Sequence, residues 1–600
     1  MTRMLAAPAA VILILSCTAG VLHCEEGGSD EPVFHMQLWD AHKTGWRDAE
    51  LREVAAAGFT VVQNGWNGSL FPSRGLLDTV TRHGLLYGAY IDTRYLFRQR
   101  SSSQERLSIT PSVNHRGEPI GQLQPLDPTY QALVEREVTR GIASLGETPG
   151  LFKIMVNSEY HTQISYDELT RAAAVKAGVM KEGQAIPRYI RGVWAGPREG
   201  ERLQEADPVR FMRWFDSEAS EVVINRIAAD TARAARPGLM VSTDPLSDGY
   251  TYGQYRHMDI LQHWVRVHGA PRDPLAMASG MERLKAHLRH NHHGEIWAGP
   301  QLGTKLSDGR TYAAPADLFE ESLWLAVAFG ARGITCWGYD TLRPDSALDR
   351  DTWSRLRSFR DRLLVNYPWL LEAVDAPRRF AVLLSKANLV LSGRVYHEVD
   401  ANYAYFQQLL LTAHIPTDVL YDEDIMRGAL SRYEVLFLPG IEHLTGELEG
   451  AIADYEKAGG RVIRAPFIRL LYRDYEITKG NFDETIDPAD PGRANLLPHQ
   501  YRAFRHIHAA RLSEEVSDLI EVTCDNPDVI LNIVEAGGRR RILLVNDSRT
   551  YGPWTAERGH RWSEDKGLAA SGTVTVGRGE SARSFDFELP PAGITAIEID

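Results

Sequence analysis

The feature that most constrains the fold is an alternation of short β-rich runs with helical patterns between about residues 33 and 340. Such alternation predicts a parallel sheet whose strands are joined by crossover helices. Eight runs occur, which matches a (β/α)8 TIM barrel with insertions. The predicted strands are Phe34–Trp39, Phe59–Gln63, Leu85–Ile91, Leu151–Asn157, Leu239–Thr243, Met258–Trp264, Ile296–Pro300 and Gly333–Trp337.

The chain of 600 residues is too long for one hydrophobic core, so further domains are predicted after a barrel assigned to residues 25–375. Residues 376–475 alternate strands and helices again and predict a small doubly wound α/β domain. Residues 476–515 are polar and predict an irregular linker, and the short alternating strands of residues 516–600 predict a β-sandwich. The α/β strands are predicted at Phe380–Leu384, Thr417–Tyr421, Val435–Pro439 and Arg461–Ala465.

The first 24 residues have the pattern of an export signal, because Arg3 precedes an apolar run from Ala9 to Leu15 and small residues follow. The residues before Cys17 resemble a bacterial lipobox. Cys17 is therefore either lipidated, which would tether the protein to a membrane, or part of a plain signal peptide cut before Glu25. Both alternatives predict an exported protein that is periplasmic, on the cell surface or secreted.

The composition of the chain restricts the classes of molecule that it is expected to bind. The net charge of −13 argues against nucleic-acid binding, which needs a basic surface. Thirteen Trp and 23 Tyr suit a sugar-binding protein, although they suit a large core equally well. The sequence holds no phosphate-binding loop, no GxGxxG after a strand and no GxSxG, so no cofactor is expected.

In a parallel barrel, catalytic groups lie at the carboxyl ends of the strands. Strand four ends at Asn157, a candidate substrate ligand, and Glu159 follows after one residue. A carboxylic acid beside an amide at this position is suited to protonate a departing oxygen, and the alternative role of Glu159 is to cap the following loop. Asp244, after strand five, and Asp340, after strand eight, are each a candidate for the second catalytic carboxylate, a sugar ligand or a loop cap.

Aromatic residues near the strand ends predict either a platform for a sugar ring or packing at the barrel rim. They are Trp39, Trp66, Trp264 and Trp337, and Gln301 after strand seven is a candidate sugar ligand. Glu295 begins strand seven and is expected at the opposite end of the barrel. The histidines between 287 and 293 precede that strand and predict a solvated helix end, so no metal site is assigned.

The domain order and several strings resemble glycoside hydrolase family 42 β-galactosidases of clan A. The most similar strings are Tyr403–Leu410, Ile415–Leu420, Tyr433–Gly440 and Gly459–Val462 in the second domain, with Asp207–Phe211, Ser322–Ala326 and Gly330–Gly333 in the barrel. The resemblance implies a (β/α)8 barrel, a flavodoxin-like trimerisation domain and a C-terminal β-domain.

The same resemblance implies that Glu159 is the general acid/base and Asn157 its neighbour, although Ser158 separates the two where the family has Asn-Glu. The family places its nucleophile, a Glu, at the end of strand seven, where this chain has Pro300 and Gln301. The sequence therefore predicts an exported glycoside hydrolase acting on oligo- or polysaccharides, β-galactosidase-like and trimeric. A catalytically degenerate barrel that binds glycans is the alternative.

Overall fold

The structure is a computed structural model, and its main feature is a closed barrel of eight parallel strands in sequential order. It describes residues 33–40, 46–64, 71–93, 101–158, 163–190, 193–196, 206–244, 252–253, 255–265, 274–289, 294–300, 303–305, 311–313, 315–337, 350–394, 396–467, 498–552, 554–555, 559–560 and 565–599. The barrel strands are β1 His35–Asp40, β2 Val61–Asn64, β3 Leu86–Ile91, β4 Leu151–Ser158, β5 Met240–Asp244, β6 Ile260–Val265, β7 Glu295–Pro300 and β8 Gly333–Trp337.

The predicted barrel is confirmed, and each strand lies within two residues of its expected bounds. Alternation along each strand separates two packing environments. In β1, Met36 and Leu38 pack outwards in the layer between the sheet and the helices, whereas Trp39 packs inside with Tyr90 and Met155. Alternate residues of a strand therefore carry the candidate site, because only inward residues reach the barrel axis.

The barrel helices lie between the strands and are partly interrupted. They are α1 Asp48–Ala56, α2 Arg74–Arg82, α3 Ser103–Ser108, α4 Pro128–Leu145, α5 Glu168–Lys176, α6 Pro208–Trp214, α7 Val222–Ala235, α8 Leu275–Leu288, α9 Ala316–Ala328 and α10 Arg350–Asn366. The stretch from Arg213 to Ala235 before β5 is amphipathic and predicts a long helix, but a π-helical segment, Phe215–Ala219, separates α6 from α7. The Ser220 hydroxyl donates to the carbonyl oxygen of Asp216 at 3.1 Å and competes with the helical ladder.

After β9, Val374–Asp375, the chain forms a four-stranded parallel sheet with the order β11-β10-β12-β13. Its strands are β10 Phe380–Leu384, β11 Thr417–Tyr421, β12 Val435–Pro439 and β13 Arg461–Ala465, all at the predicted bounds. Its helices are α11 Lys386–Leu391, α12 Tyr396–Thr412, α13 Asp422–Met426 and α14 Gly446–Lys457. Buried apolar residues lie on both faces of the sheet, as in a doubly wound domain.

The prediction of an irregular linker over residues 476–515 is wrong for its last part. A helix of 18 residues, α15 Pro498–Glu515, occupies that part and packs on α12. Tyr501, Ala509 and Leu512 join the core of the α/β domain, so burial of an apolar stripe stabilises the helix.

The C-terminal region contains a four-stranded and a three-stranded antiparallel sheet, as a β-sandwich requires. Strands β14 Val522–Cys524, β15 Val529–Ala536, β16 Arg539–Asn546, β17 Ala570–Val576, β18 Arg583–Leu589 and β19 Ile594–Glu598 form them, with orders β9-β15-β16-β19 and β14-β17-β18. Strand β9 pairs with β15, so the segment that leaves the barrel contributes one strand to the sandwich.

A buried ion network lies where the three domains meet. Arg378 is 8% exposed and donates to both carboxylate oxygens of Glu282 on α8, at 2.5 and 2.8 Å. Asn532 on β15 donates to the carbonyl oxygen of Ala328 at the end of α9, at 2.8 Å. These bonds fix the barrel to the two later domains. Among the described residues, no helix is both long and apolar enough to cross a membrane.

Candidate functional site

Strand β4 carries a bulge at its carboxyl end. Met155 pairs with Ser242 and Ser158 pairs with Asp244, so two residues of β4, Val156 and Asn157, lie opposite one residue of β5. Asn157 has a φ of 49°, a left-handed conformation that Asn tolerates better than most residues. The bulge gives β4 one residue more than β5 over the same length. It lies next to Ser158, the residue that separates Asn157 from Glu159.

The side chain of Asn157 is held by protein groups. Its Oδ1 accepts hydrogen bonds from the backbone N–H and the hydroxyl of Thr93, both at 3.0 Å, and its Nδ2 donates to Asn225 Oδ1 at 3.0 Å. The hydroxyl of Thr243 lies 2.8 Å from the carbonyl oxygen of Val156 and donates to it. Asn157 is the predicted substrate ligand on β4, and these contacts hold its side chain in place at the end of the strand.

Asp244 is the last residue of β5, at the barrel face where the predicted acid would act. Its side chain is only 3% exposed. Tyr255, which follows in the loop before β6, is also buried. Burial raises the pKa of Tyr255 well above its ordinary value, and the nearby carboxylates of Glu221 and Asp244 raise it further. Asp244 is therefore a buried carboxylate at the end of β5, close enough to Tyr255 for its charge to act on that residue.

Sequence reasoning missed Glu221, which immediately precedes α7 and is 4% exposed. Helices that follow barrel strands begin at the same face where the strands end, so a helix start is also a place for site residues. The sequence was interpreted as one helix from Arg213 to Ala235, which placed Glu221 in mid-helix. The break before α7 places Glu221 directly before that helix, where its carboxylate acts on the buried Tyr255.

The aromatic candidates have different positions. Trp39 is 2% exposed, and its ring lies 5.9 Å from that of Tyr90, so it packs inside the barrel and does not present an open face to a sugar. Trp264 and Trp337 lie at the ends of β6 and β8, where the structure describes the strands but not these side chains. The predicted residues Glu159, Asp340, Trp66 and Gln301 lie outside the described residues.

Two other sequence features lie away from this face. Glu295 begins β7, accepts a hydrogen bond from Trp297 Nε1 at 3.1 Å, and has a pKa raised by burial. His287 is buried, and its Nδ1 lies 3.0 Å from the hydroxyl of Tyr421 in the α/β domain. His290, His292 and His293 lie outside the described residues. Within the described ranges, no cluster of His, Cys, Asp and Glu could hold a metal ion.

The carboxyl edge of the α/β sheet, where doubly wound domains bind ligands, contacts the barrel instead. Asp422, directly after β11, accepts hydrogen bonds from Arg213 at 2.6 Å and from the backbone of Ala387 at 2.9 Å. Lys386, directly after Ser385 at the end of β10, donates to Asp216. These charged groups pair with the π-helical region of the barrel, so this edge is a docking surface within the chain.

The chain matches no protein-family model and no curated protein sequence. Its fold is that of glycoside hydrolases built on a (β/α)8 barrel. A catalytic mutant of Gan42B, a GH42 β-galactosidase from G. stearothermophilus, is similar with a TM-score of 0.61 and 12% identity, covering 94% of this chain and 98% of that chain.

Two further solved structures are similar over nearly their whole length. The β-galactosidase from Rahnella sp. R3 has a TM-score of 0.62 and 11% identity, covering 95% of this chain and 98% of that one. The α-L-fucosidase isoenzyme 2 from Paenibacillus thiaminolyticus has a TM-score of 0.59 and 12% identity, covering 94% and 98%. The likeness confirms the fold that the sequence resemblance implied, at identities too low to transfer an activity.

Proposed function

We propose that the protein is an exported glycoside hydrolase that cleaves glycosidic bonds in oligo- or polysaccharides at the mouth of its barrel. The observation that supports this most is the pairing of Ser158 with Asp244 across the bulge. Glu159 follows Ser158 in the sequence, so each of two neighbouring strands has a carboxylic acid at, or within one residue of, its carboxyl end. Two carboxylic acids at one site are the usual requirement of glycoside hydrolysis.

In the proposed reaction, Glu159 protonates the oxygen of the departing sugar, and an ionised carboxylate acts on the opposite side of the scissile bond. Asp244 is the leading candidate for that carboxylate, and Asp340 is the second. The role of this second carboxylate depends on its separation from the carboxyl group of Glu159. A separation of about 5–5.5 Å favours a covalent intermediate and retention, whereas about 6.5–9.5 Å leaves space for water and favours inversion. Product stereochemistry by NMR distinguishes these outcomes.

Enzymes with different named substrates, β-galactosidases and an α-L-fucosidase, share the fold. A screen of nitrophenyl galactosides and fucosides together with plant and marine polysaccharides tests whether the protein is β-galactosidase-like.

Glu159→Gln is the sharpest test of the proposal because it removes the acid and retains the shape of the side chain. The substitution should lower the hydrolysis rate of a natural glycan about 10²–10⁴-fold, and less for an activated aryl glycoside that needs little protonation. Glu182→Gln, at an exposed turn, is a matched control that should leave the rate unchanged. A Glu159→Gln protein with the wild-type rate on its natural glycan would show that the assignment is wrong.

A glycan-binding barrel without catalysis is the second candidate. Pro300 ends β7, and Gln301 follows where the resembled family has its nucleophile. Under this alternative, calorimetry would detect equal glycan binding by the wild-type protein and by Glu159→Gln, and neither would release product.

Export also belongs to the proposal and rests on the apolar run from Ala9 to Leu15. Mass spectrometry of the native protein should find the chain cleaved before Glu25, or a diacylglycerol adduct on Cys17 that tethers it to a membrane. An intact Met1 in a cytosolic fraction would contradict export.

Self-association as a trimer through residues 376–475 is proposed on fold analogy with the trimerisation domain of the resembled family. Light scattering should return three times the chain mass of 67.2 kDa, and a mass of one chain would contradict it.

A further inference from the structure

The barrel interior beneath the mouth contains a set of buried polar side chains. Alternate residues of each strand face inward, and in (β/α)8 barrels Val, Ile and Leu dominate these positions. Six inward positions of this barrel are polar instead, and each of these residues is 0% exposed. They form the inner polar cluster, which consists of Gln37 on β1, Gln63 on β2, Lys153 on β4, Ser242 on β5, Gln262 on β6 and Thr335 on β8.

Two groups of apolar side chains enclose the inner polar cluster along the barrel axis. Three of them pack together in the amino-terminal halves of their strands: Val61, Ile260 and Trp297. Three others pack together in the carboxyl-terminal halves: Trp39, Tyr90 and Met155. Gln63 and Gln262 lie two residues after members of the first group, and Gln37 lies two residues before a member of the second. The polar side chains are therefore shielded from bulk solvent on both sides.

The amine of Lys153 lies among the other members of the cluster. Its Nζ is 3.2 Å from Ser242 Oγ, which is its one hydrogen-bond partner among the described residues, and 5.2 Å from the ring centroid of Trp297. Gly88 on β3 lies between Gln63 and Lys153 in the sheet. A Cβ on Gly88 would lie 2.9 Å from Gln63 Oε1 and 3.1 Å from Lys153 Cε. Both side chains therefore reach the space that the glycine leaves inside the barrel.

Four amide atoms of the cluster have no hydrogen-bond partner in the part of the chain that the structure describes. Gln37 Nε2 donates to Thr335 Oγ1 at 2.9 Å, and Gln63 Nε2 donates to Met155 Sδ, a weak acceptor, at 3.0 Å. The Oε1 atoms of these two glutamines are unpaired, and so are both amide atoms of Gln262. A buried amide is costly unless it is hydrogen-bonded, so the cluster requires a further partner.

We propose that the inner polar cluster binds ordered water molecules, which connect the Lys153 amine with the unpaired glutamine amides. Buried water molecules usually make about three hydrogen bonds to polar groups that lack other partners. Water fits this cluster because it both donates and accepts, and the described groups offer three unpaired amide oxygens, one unpaired amide nitrogen and an amine. The proposal does not depend on the proposed function, since a barrel that cleaves no glycan would bind the same water.

A small anion fits the inner polar cluster less well than water does. An anion would accept hydrogen bonds from the nitrogen atoms but could not donate to the three amide oxygens. Burial also lowers the pKa of the Lys153 amine well below its ordinary value, which weakens the attraction of that amine for an anion.

A high-resolution crystal structure of the full chain is the direct test. Ordered water should lie within about 2.7–3.2 Å of the Lys153 amine and of the Gln262 amide. Glutamine amides that bond directly to one another, with no water density between them, would overturn the proposal. Crystals soaked in sodium bromide give a second measurement, because bromide scatters anomalously and water does not. An anomalous peak beside Lys153 would show that the cluster takes an anion and would also overturn the proposal.

Gln262→Met tests the same site in solution, because it retains the length of the side chain and removes both amide atoms. If water pairs this amide, the substitution leaves that water without a partner, and the midpoint of urea unfolding should fall. If the amide has no partner, its removal relieves a desolvation cost, so an equal or higher midpoint would overturn the proposal. Tryptophan fluorescence of the full chain measures both midpoints.

Ile260→Leu is the matched control, since it changes an apolar side chain two residues earlier on the same strand and conserves its volume. It should lower the midpoint less than Gln262→Met does. Crystals of Gln262→Met should lose the water bound to the amide, whereas crystals of Ile260→Leu should retain it, and retained water in both would overturn the assignment of Gln262. The wild-type crystal structure decides the proposal if Gln262→Met does not fold.

Discussion

Mild acid should destabilise the barrel through His35, the first residue of β1. The ring of His35 lies 4.7 Å from that of Phe152 and 5.5 Å from that of Trp297, between centroids. Burial, followed by the charges of Lys153 and Arg360, lowers the pKa of His35 from 6.5 to about 4. The folded protein therefore holds this imidazole neutral at a pH where the unfolded chain has already protonated it.

The magnitude follows from the two pKa values of His35. Because its folded pKa is depressed, its contribution is complete above about pH 6.5 and is lost as the pH falls towards about 4. Each pKa unit corresponds to about 1.4 kcal/mol, so the full loss below pH 4 is about 3 kcal/mol. Between pH 7 and 5 the free energy of unfolding should fall by about 2 kcal/mol from this residue alone.

Urea denaturation at pH 7 and pH 5, followed by tryptophan fluorescence, measures this effect. His35→Gln cannot titrate in this range and retains a polar group near the Thr60 hydroxyl, which lies 3.2 Å from His35 Nδ1. The variant should lose about 2 kcal/mol less than the wild type between the two pH values. His83→Gln, at a surface ion pair with Asp48, is the control. Burial also lowers the pKa of His414, but this residue is present in every variant, so its contribution to the pH dependence cancels in the comparison. Equal pH dependence of wild type and His35→Gln would refute the reasoning.

Three substitutions test the packing by thermal or urea denaturation. Gly333→Ala should destabilise by about 1–3 kcal/mol, because a Cβ there would lie 2.8 Å from the Trp297 ring, and an unchanged stability would contradict the close approach. Gly450→Ala, inside α14 with open space around it, should stabilise by about 0.5–1 kcal/mol, and a loss of stability would contradict this. Arg378→Met should cost about 3 kcal/mol because it leaves Glu282 without its bidentate partner, and a neutral effect would show that the pair contributes little.

The strands were predictable from sequence because each is a short apolar run between turn residues. Gly333–Trp337 was predicted at its observed bounds, and so were all four strands of the α/β sheet. The helix α15 was missed because its buried face includes charged residues. Arg505 is 0% exposed and donates to Asp547 at 2.9 Å, so an arginine occupies a position where an apolar residue was expected. A proline at Pro498 begins the helix, as proline can in a first turn.

The candidate site was predictable in part. Asp244 was correctly placed at the end of β5, because position on a barrel strand predicts which face a residue reaches. The bulge at Asn157 could not be predicted, since it depends on the pairing between β4 and β5 and not on β4 alone. Lys153 was missed for a related reason: an amphipathic-pattern argument assigns a lysine to the surface, and only the closed barrel reveals that its face is interior.

The docking of the α/β domain on the barrel limits how this architecture can evolve by exchange of modules. Arg213 and Asp216 of the barrel bond to Asp422 and Lys386 of the second domain. A recombination event that replaced the α/β domain with one lacking these two partners would leave unmatched charges at the end of α6 and in the π-helical segment that follows it. That segment closely precedes Glu221, whose carboxylate acts on the same buried Tyr255 as Asp244, so the exchange would disturb a region close to the candidate site. The two domains are therefore expected to be inherited together, with sequence drift on one side of the junction matched on the other.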